Sequence, residues 1–232
     1  MIAGQLALGV KLRDDARFDN FHGERNAEAA SRLRTAVEQR DAPQSIVICG
    51  DEDTGKSHLL QGVCHLAEQQ HRQAICVSMK EFLPFGPDAI GGLELNEVVC
   101  LDDLDRVAGL PEWEEAVFHL YNRINDRDGQ IVISLSDLPA GLPFSLPDLV
   151  SRLRHGLLIQ MGINRDDDRL RILIARAEQR GLALSEEVAG FILKRAPRRL
   201  ADLLAALDQL DDKSLKAQRR LTIPFVKSVM GW

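Results

Sequence analysis

The 232-residue chain lacks any apolar run long enough to cross a bilayer. Its longest runs, such as Ile131-Val132-Ile133 and Leu157-Leu158-Ile159, fall far short of the roughly 20 residues a membrane helix needs. The N-terminus has no basic start of the kind a secretory signal carries. No membrane partner and a cytoplasmic location are therefore expected. The four cysteines, Cys49, Cys64, Cys76 and Cys100, show no Cys-x-x-Cys spacing, and three lie in apolar, strand-like runs. They are expected to be small, reduced core residues. An excess of basic charge is missing as well. Lys and Arg number 29 against 35 Asp and Glu, for a net charge of −6, so the whole-chain field does not draw the protein to DNA or to an anionic surface. Contact with DNA is expected to be indirect. The six histidines include no His-Glu-x-x-His pair, and His58, His65 and His119 fall in helix-period segments where packing or surface roles are expected. No nucleophile–base constellation, internal repeat or low-complexity segment stands out.

What is present is a chain with 45% hydrophobic residues, enough for a well-buried core. Ala30, Leu33, Ala36 and Val37 recur at helical spacing before Asp41 and Pro43 end the pattern. Short apolar, β-branched runs follow: Ser45 to Cys49, Ala74 to Ser78, Val98 to Leu101, Ile131 to Leu135 and Leu157 to Gln160. Helix-period segments separate them. Unbroken runs alternating with helices predict a parallel sheet covered on both faces. After Met161 every segment has a helical period. Asn164 with the acids after it, and Ser185-Glu-Glu, read as helix starts, and Pro197 and Pro224 suit first turns. The predicted organisation is a tail over residues 1–15, an α/β core over 16–161 and an all-helical annex over 162–232.

Gly50-Asp-Glu-Asp-Thr-Gly55-Lys56-Ser57 has the spacing of a phosphate-cradling loop, with a strand leading in and a helix leading out. Its glycines let the backbone wrap phosphates, Lys56 reaches terminal phosphate oxygens, and the Ser57 hydroxyl suits Mg²⁺. Val98-Val-Cys-Leu-Asp102-Asp103 supplies a hydrophobic strand ending in carboxylates. Asp102 is the candidate to hold Mg²⁺, and Asp103 the candidate to orient an attacking water. An Asp there, rather than a longer Glu, predicts slow hydrolysis. The loop also carries Asp51, Glu52 and Asp53. At an effective dielectric of about 20, a carboxylate roughly 8 Å from one phosphate charge costs on the order of 2 kcal/mol before screening. Several such terms oppose a triphosphate more than a diphosphate, so ADP or another nucleoside diphosphate is the expected ligand, with ATP as the alternative.

Several of these stretches in one order resemble the AAA+ part of the bacterial initiator DnaA, and more closely its shorter relatives of the Hda family. They are Phe18-Asp-Asn-Phe21-His-Gly-x-x-Asn26, the phosphate loop, Val-Cys-Leu-Asp-Asp, Leu120-Tyr-Asn-Arg-Ile124, Ile133-x-x-Ser-Asp137, Leu146-Pro-Asp-Leu-Val-Ser-Arg152-Leu and Leu221-Thr-Ile-Pro-Phe-Val-Lys227. The resemblance implies an AAA+ P-loop fold with a five-stranded parallel sheet followed by a small all-α lid. It implies that Phe18, Phe21 and Asn26 border the base. Gly50, Thr54, Gly55, Lys56, Ser57 and His58 join them as nucleotide-binding residues, with Asp137 as the sensor after the fourth strand and Arg198 as the sensor arginine of the lid. Arg152 becomes the arginine finger, which acts on a nucleotide held by a neighbouring subunit. In the tail, Gln5, Leu6 and Leu8 resemble a peptide that docks on the DNA polymerase III β sliding clamp, an extended segment suited to an apolar pocket. The implied partners are DnaA, the sliding clamp and, through AAA+ faces, a second copy of the chain. The implied role is stimulation of hydrolysis of DnaA-bound ATP. An autonomous AAA+ ATPase acting on DNA or on a helicase is the other reading.

Overall fold

The computed structural model describes Leu12 and residues 15–39, 44–217 and 219–232. The clamp-type residues Gln5, Leu6 and Leu8 lie outside these. Two compact units emerge. One holds the described residues up to Phe21 together with Glu28–Met161, and the other holds His22–Ala27 with Gly162–Trp232.

The first unit runs α1 (Ala27–Glu38), β1 (Ser45–Cys49), α2 (Lys56–Gln69), β2 (Ala74–Ser78), α3 (Met79–Phe82), β3 (Val98–Asp102), α4 (Pro111–Asp126), β4 (Gln130–Leu135), α5 (Pro147–His155) and β5 (Leu157–Gln160). All strand pairs are parallel, in the order β2-β3-β4-β1-β5. Every residue of β1, β3 and β4 is buried, because alternate side chains enter different cores. Ile46, Ile48, Val98, Cys100 and Val132 pack with Leu33, Leu59, Leu60 and Val63 of α1 and α2. Val47, Val99, Leu101, Ile131 and Ile133 pack with Leu120 and Ile124 of α4 and with Leu149 and Leu153 of α5. Each fully buried Val, Leu or Ile contributes about 1.5–3 kcal/mol relative to exposure, so a strand this apolar on both faces is stable only between two helical layers. Trp113 is buried in the second of these cores and Phe118 packs against it, both as packing residues.

All four cysteines are free and buried. Cys64 and Cys100 approach to 3.8 Å between sulfurs, and Cys76 pairs in register with Cys100. Burial pushes the Cys49 thiol up to about 11, aided by Asp137 and opposed by Lys56, and burial likewise raises Cys100. Hydrogen bonds from Cys100 and Cys76 lower Cys64 instead, but all four thiols are buried, so a neutral-pH alkylating reagent is expected to reach none of the four in the folded chain and all four after denaturation, as counted by intact mass.

The second unit contains α6 (Asp166–Gln179), α7 (Glu186–Arg195), α8 (Leu200–Ala217) and α9 (Ile223–Met230), packed through Leu173, Ile192, Leu203, Leu207, Leu210 and Val226. Ser185 caps α7 and Thr222 caps α9, with Pro224 in its first turn. Asn164 is not a cap. It is buried, and Arg165 stands at the start of α6 with its N–H donating to Asp168 Oδ2 at 2.9 Å. Pro197 precedes α8 by three residues rather than opening it. His22–Ala27, placed by the sequence reading in the core span, clusters with the helical unit for a local reason. The Asn26 side chain donates to Gly162 O at 2.9 Å and accepts from Gly162 N at 2.7 Å, Arg25 pairs with Asp168, and Glu24 pairs with Arg171.

Candidate functional site

The phosphate loop leaves β1 at the carboxyl end of the sheet, where open α/β sheets receive their ligands. Its base is pinned on two sides. Gly50 N–H donates to Leu135 O at the end of β4, and Met161 N–H donates to Cys49 O from the end of β5. A Cβ at Gly50 would lie 2.9 Å from Met161 O, so that close approach requires glycine. Gly55 is required twice over. Its φ is +99°, and a Cβ there would lie 2.7 Å from the ring of Phe21. Thr54 is buried and its hydroxyl donates to Asp51 O at 2.9 Å, closing the loop on itself.

Lys56 opens α2 and is 7% exposed, with its ammonium donating to Gly50 O at 2.5 Å and Asp51 O at 2.8 Å. The loop carbonyls thus hold the cation against the turn itself. Asp51 and Glu52 are exposed and Asp53 is half-buried with φ +62°.

Beside the loop, β3 delivers a buried carboxylate. Asp102 Oδ1 accepts from the Ser134 hydroxyl at 2.6 Å, and Asp102 also hydrogen-bonds the Ser57 side chain. Ser134 Oγ in turn accepts the N–H of Asp103 at 2.7 Å, and Asp103 adopts the left-handed φ of +55°. Burial raises the pKa of Asp102, against the hydrogen bonds of Ser134 and Ser57 and the charge of Lys56. Asp103 is raised by burial and then by its neighbours Asp102 and Asp105. Two hard oxygen donors, Ser57 and Asp102, already meet beside the loop, and this donor chemistry fits Mg²⁺. When bound, that ion supplies charge neutralisation to phosphate oxygens.

The sign of the Asp102 shift yields a test. A raised carboxylate pKa favours the folded state at low pH and is lost as pH rises through the folded value, so at neutral pH the ionised Asp102 weighs against folding. Asp102→Asn should raise the melting temperature of the nucleotide-free chain, by about 2–4 °C for each kcal/mol relieved. The same change should remove the Mg²⁺ dependence of nucleotide affinity. A lowered melting temperature would show that the carboxylate is stabilising instead.

Before α1, Phe21 lies against the loop, tilted on His58 with ring centroids 5.7 Å apart. His58 also bonds Arg17 O at 2.8 Å. Phe18 packs on Gly62, two turns along α2 from Gly55, half-buried against the core. Asn26 is buried, with its amide engaged by Gly162 in the helical unit. Asp137 is exposed beyond β4, its Oδ1 accepting the Leu138 N–H at 2.7 Å. Arg198 is exposed in the turn before α8. Arg152 is exposed on α5, forms no ion pair among the described residues, and rests over the Tyr121 ring at 5.9 Å.

Two contributors went unread in the sequence. Ser134 had a signal, a hydroxyl inside the apolar run Ile131–Leu135, because a buried polar group must find a partner. Asp105, whose Oδ1 accepts from Ser136 N–H at 3.1 Å and ties the turn after β3 to the end of β4, had none.

A parallel five-stranded sheet with a phosphate loop at its carboxyl edge, a strand-end aspartate pair beside it and a separate helical unit define an AAA+ P-loop architecture. Residues 166–230 match the family described as "Hda, lid domain". Over 228 residues, 98% of each chain, the sequence is 40% identical to an uncharacterized protein of Haemophilus influenzae. The fold is similar to domain III of the replication initiation protein DnaA of Thermotoga maritima, with TM-score 0.81 and 22% identity over 95% of this chain and 97% of that one. It is also similar to AMPPCP-bound DnaA from Aquifex aeolicus, with TM-score 0.72 and 23% identity over 89% of this chain and 68% of that one. The chain thus carries an Hda-type lid segment and shares the fold of DnaA domain III. Among the described residues no helix is long and apolar enough to cross a membrane.

Proposed function

We propose that this DnaA-related replication regulator holds a nucleotide of its own and presents Arg152 to the ATP of a neighbouring AAA+ subunit, that of DnaA, so that the partner's ATP is hydrolysed. The observation that carries the reading is the contrast between two basic groups. Lys56 is sequestered by the carbonyls of its own phosphate loop. Arg152 stands exposed on α5, free of any ion pair among the described residues, as a guanidinium that acts outside its own subunit must.

In this reading Gly50, Thr54, Gly55, Lys56 and Ser57 cradle the phosphates, Phe21 and His58 flank the loop, and Phe18 supports Phe21's segment on α2. Ser57 and Asp102 hold Mg²⁺. Asp103 orients water weakly, Asp137 senses the terminal phosphate, and Arg198 is the lid's sensor arginine. Asp51, Glu52 and Asp53 bias the site towards a diphosphate. That bias fails if affinity favours ATP over ADP. Gln5, Leu6 and Leu8 tether the chain to the DNA-loaded sliding clamp, so DNA is contacted only through the clamp.

Hydrolysis of DnaA-bound labelled ATP, with this protein, clamp and DNA added singly and together, tests the whole scheme. Stimulation only in the full mixture is expected. Rapid turnover by the chain alone, raised by single-stranded DNA and indifferent to DnaA, would establish the autonomous ATPase instead.

A further inference from the structure

The helix that carries Arg152 is too short to orient itself. α5 spans nine residues, below the roughly 12–15 at which isolated helices become even marginal, so its direction is set by what grips it. Leu149 and Leu153 anchor one face in the core. The other grip comes from α4, through a charged group that neither the phosphate loop nor the strand-end aspartates use.

Glu114, in the first turn of α4, has no exposed surface. Its Oε1 accepts the Gly109 N–H at 2.7 Å and the Ser145 N–H at 3.0 Å. Its Oε2 accepts the Ser145 N–H at 2.9 Å and the Leu146 N–H at 2.7 Å. Leu146 is the residue that caps the start of α5. A buried carboxylate survives only when paired or multiply hydrogen-bonded, and here backbone donors satisfy it. Burial alone would raise its pKa. The Ser145, Leu146 and Gly109 N–H groups outweigh that and hold it below the ordinary Glu range, so it is ionised at neutral pH. An anion at the amino end of α5 also complements the helix dipole. Seven residues further along the same helix, Tyr121 lies beneath the Arg152 guanidinium. Gly109 follows the turn after β3, so the same carboxylate links the strand-end aspartate segment to the finger helix.

We infer that Glu114 is a positioning residue for Arg152, fixing α5 through the Ser145 and Leu146 N–H groups so that the guanidinium is held for the partner's nucleotide. This rests on the finger reading above.

The test compares Glu114→Gln with Arg152→Ala in the complete assay of partner-bound ATP, titrating each variant to saturation. Gln keeps the size but loses the charge and one acceptor oxygen, and turns an N–H donor on the backbone donors. With Glu114→Gln, the saturated rate should fall about tenfold or more, since a 1 Å misplacement of a catalytic group can cost about 10²-fold. The half-saturating concentration and the chain's own nucleotide affinity should stay within about twofold, since neither surface is touched. A merely structural tie would weaken all three together. A folded Glu114→Gln chain that stimulates as well as the unaltered one, while Arg152→Ala abolishes stimulation, overturns the inference alone. A silent Arg152→Ala removes the finger reading, and this inference with it. Should Glu114→Gln fail to fold, amide exchange of the unaltered chain decides. Ser145 and Leu146 amides protected like those of β3, alone and in the assembled complex, support the clasp, and exchange as fast as exposed loop amides overturns it.

Discussion

Arg152→Ala is expected to lower the stimulated hydrolysis of partner-bound ATP by about 10³-fold or more while leaving the chain folded and its own nucleotide bound. The side chain is exposed and its only aromatic contact among the described residues is with Tyr121, so truncation opens no cavity and strands no buried charge. Surface substitutions of this kind usually stay within about 0.5 kcal/mol of the parent stability. The rate, by contrast, depends on a delocalised cation with several N–H donors meeting charge that spreads over phosphoryl oxygens in the transition state. Arg152→Lys should recover little, because a point charge on a flexible stem does not reproduce the planar fork. Single-turnover hydrolysis with saturating variant separates this loss from weakened docking. A loss confined to half-saturation would mean that Arg152 contributes to the interface only.

Lys56→Ala should abolish useful nucleotide binding by the chain itself, weakening it by about 10²-fold or more. Hydrogen bonds to charged groups contribute about 1.5–3 kcal/mol each, and a single phosphate contact of about 2.7 kcal/mol corresponds to that factor. The empty loop changes too. The Gly50 and Asp51 carbonyls lose the ammonium at 2.5 and 2.8 Å, and a positive charge that lowers the pKa of Asp102, Asp103 and Cys49 disappears. All three should then titrate higher than in the parent, which NMR titration of the two carboxylates can follow. Calorimetry with ADP and ATP reads the affinity. Binding retained within about threefold would place the phosphates elsewhere.

Much of the fold was legible because parallel strands buried on both faces need unbroken apolar runs. The five runs in the sequence are the five strands, with β3 reaching one residue further to Asp102 and β4 starting one earlier at Gln130. The helical character after Met161 followed from periodicity in the same way. Helix starts were less secure. Ser185 and Pro224 read correctly because their chemistry is local, whereas Asn164 is buried and Pro197 stops short of α8. Asn26 shows the limit for function, since its segment was placed with the core and its amide closes on Gly162, 136 residues away.

The phosphate loop, the strand-end aspartates and the alternation that makes the sheet are written in the order of residues alone, because each is a pattern of backbone freedom, charge or burial within one short segment. The strand order β2-β3-β4-β1-β5, the Phe21 ring over Gly55, the Ser57–Asp102–Ser134–Asp103 network and the Glu114 clasp on Ser145 and Leu146 exist only once the chain has folded. Each of these joins groups about a helix or more apart in the chain. Their pairing is set by the burial of the sheet between its helical layers, which forces polar atoms at the strand ends to satisfy one another wherever the packing brings them.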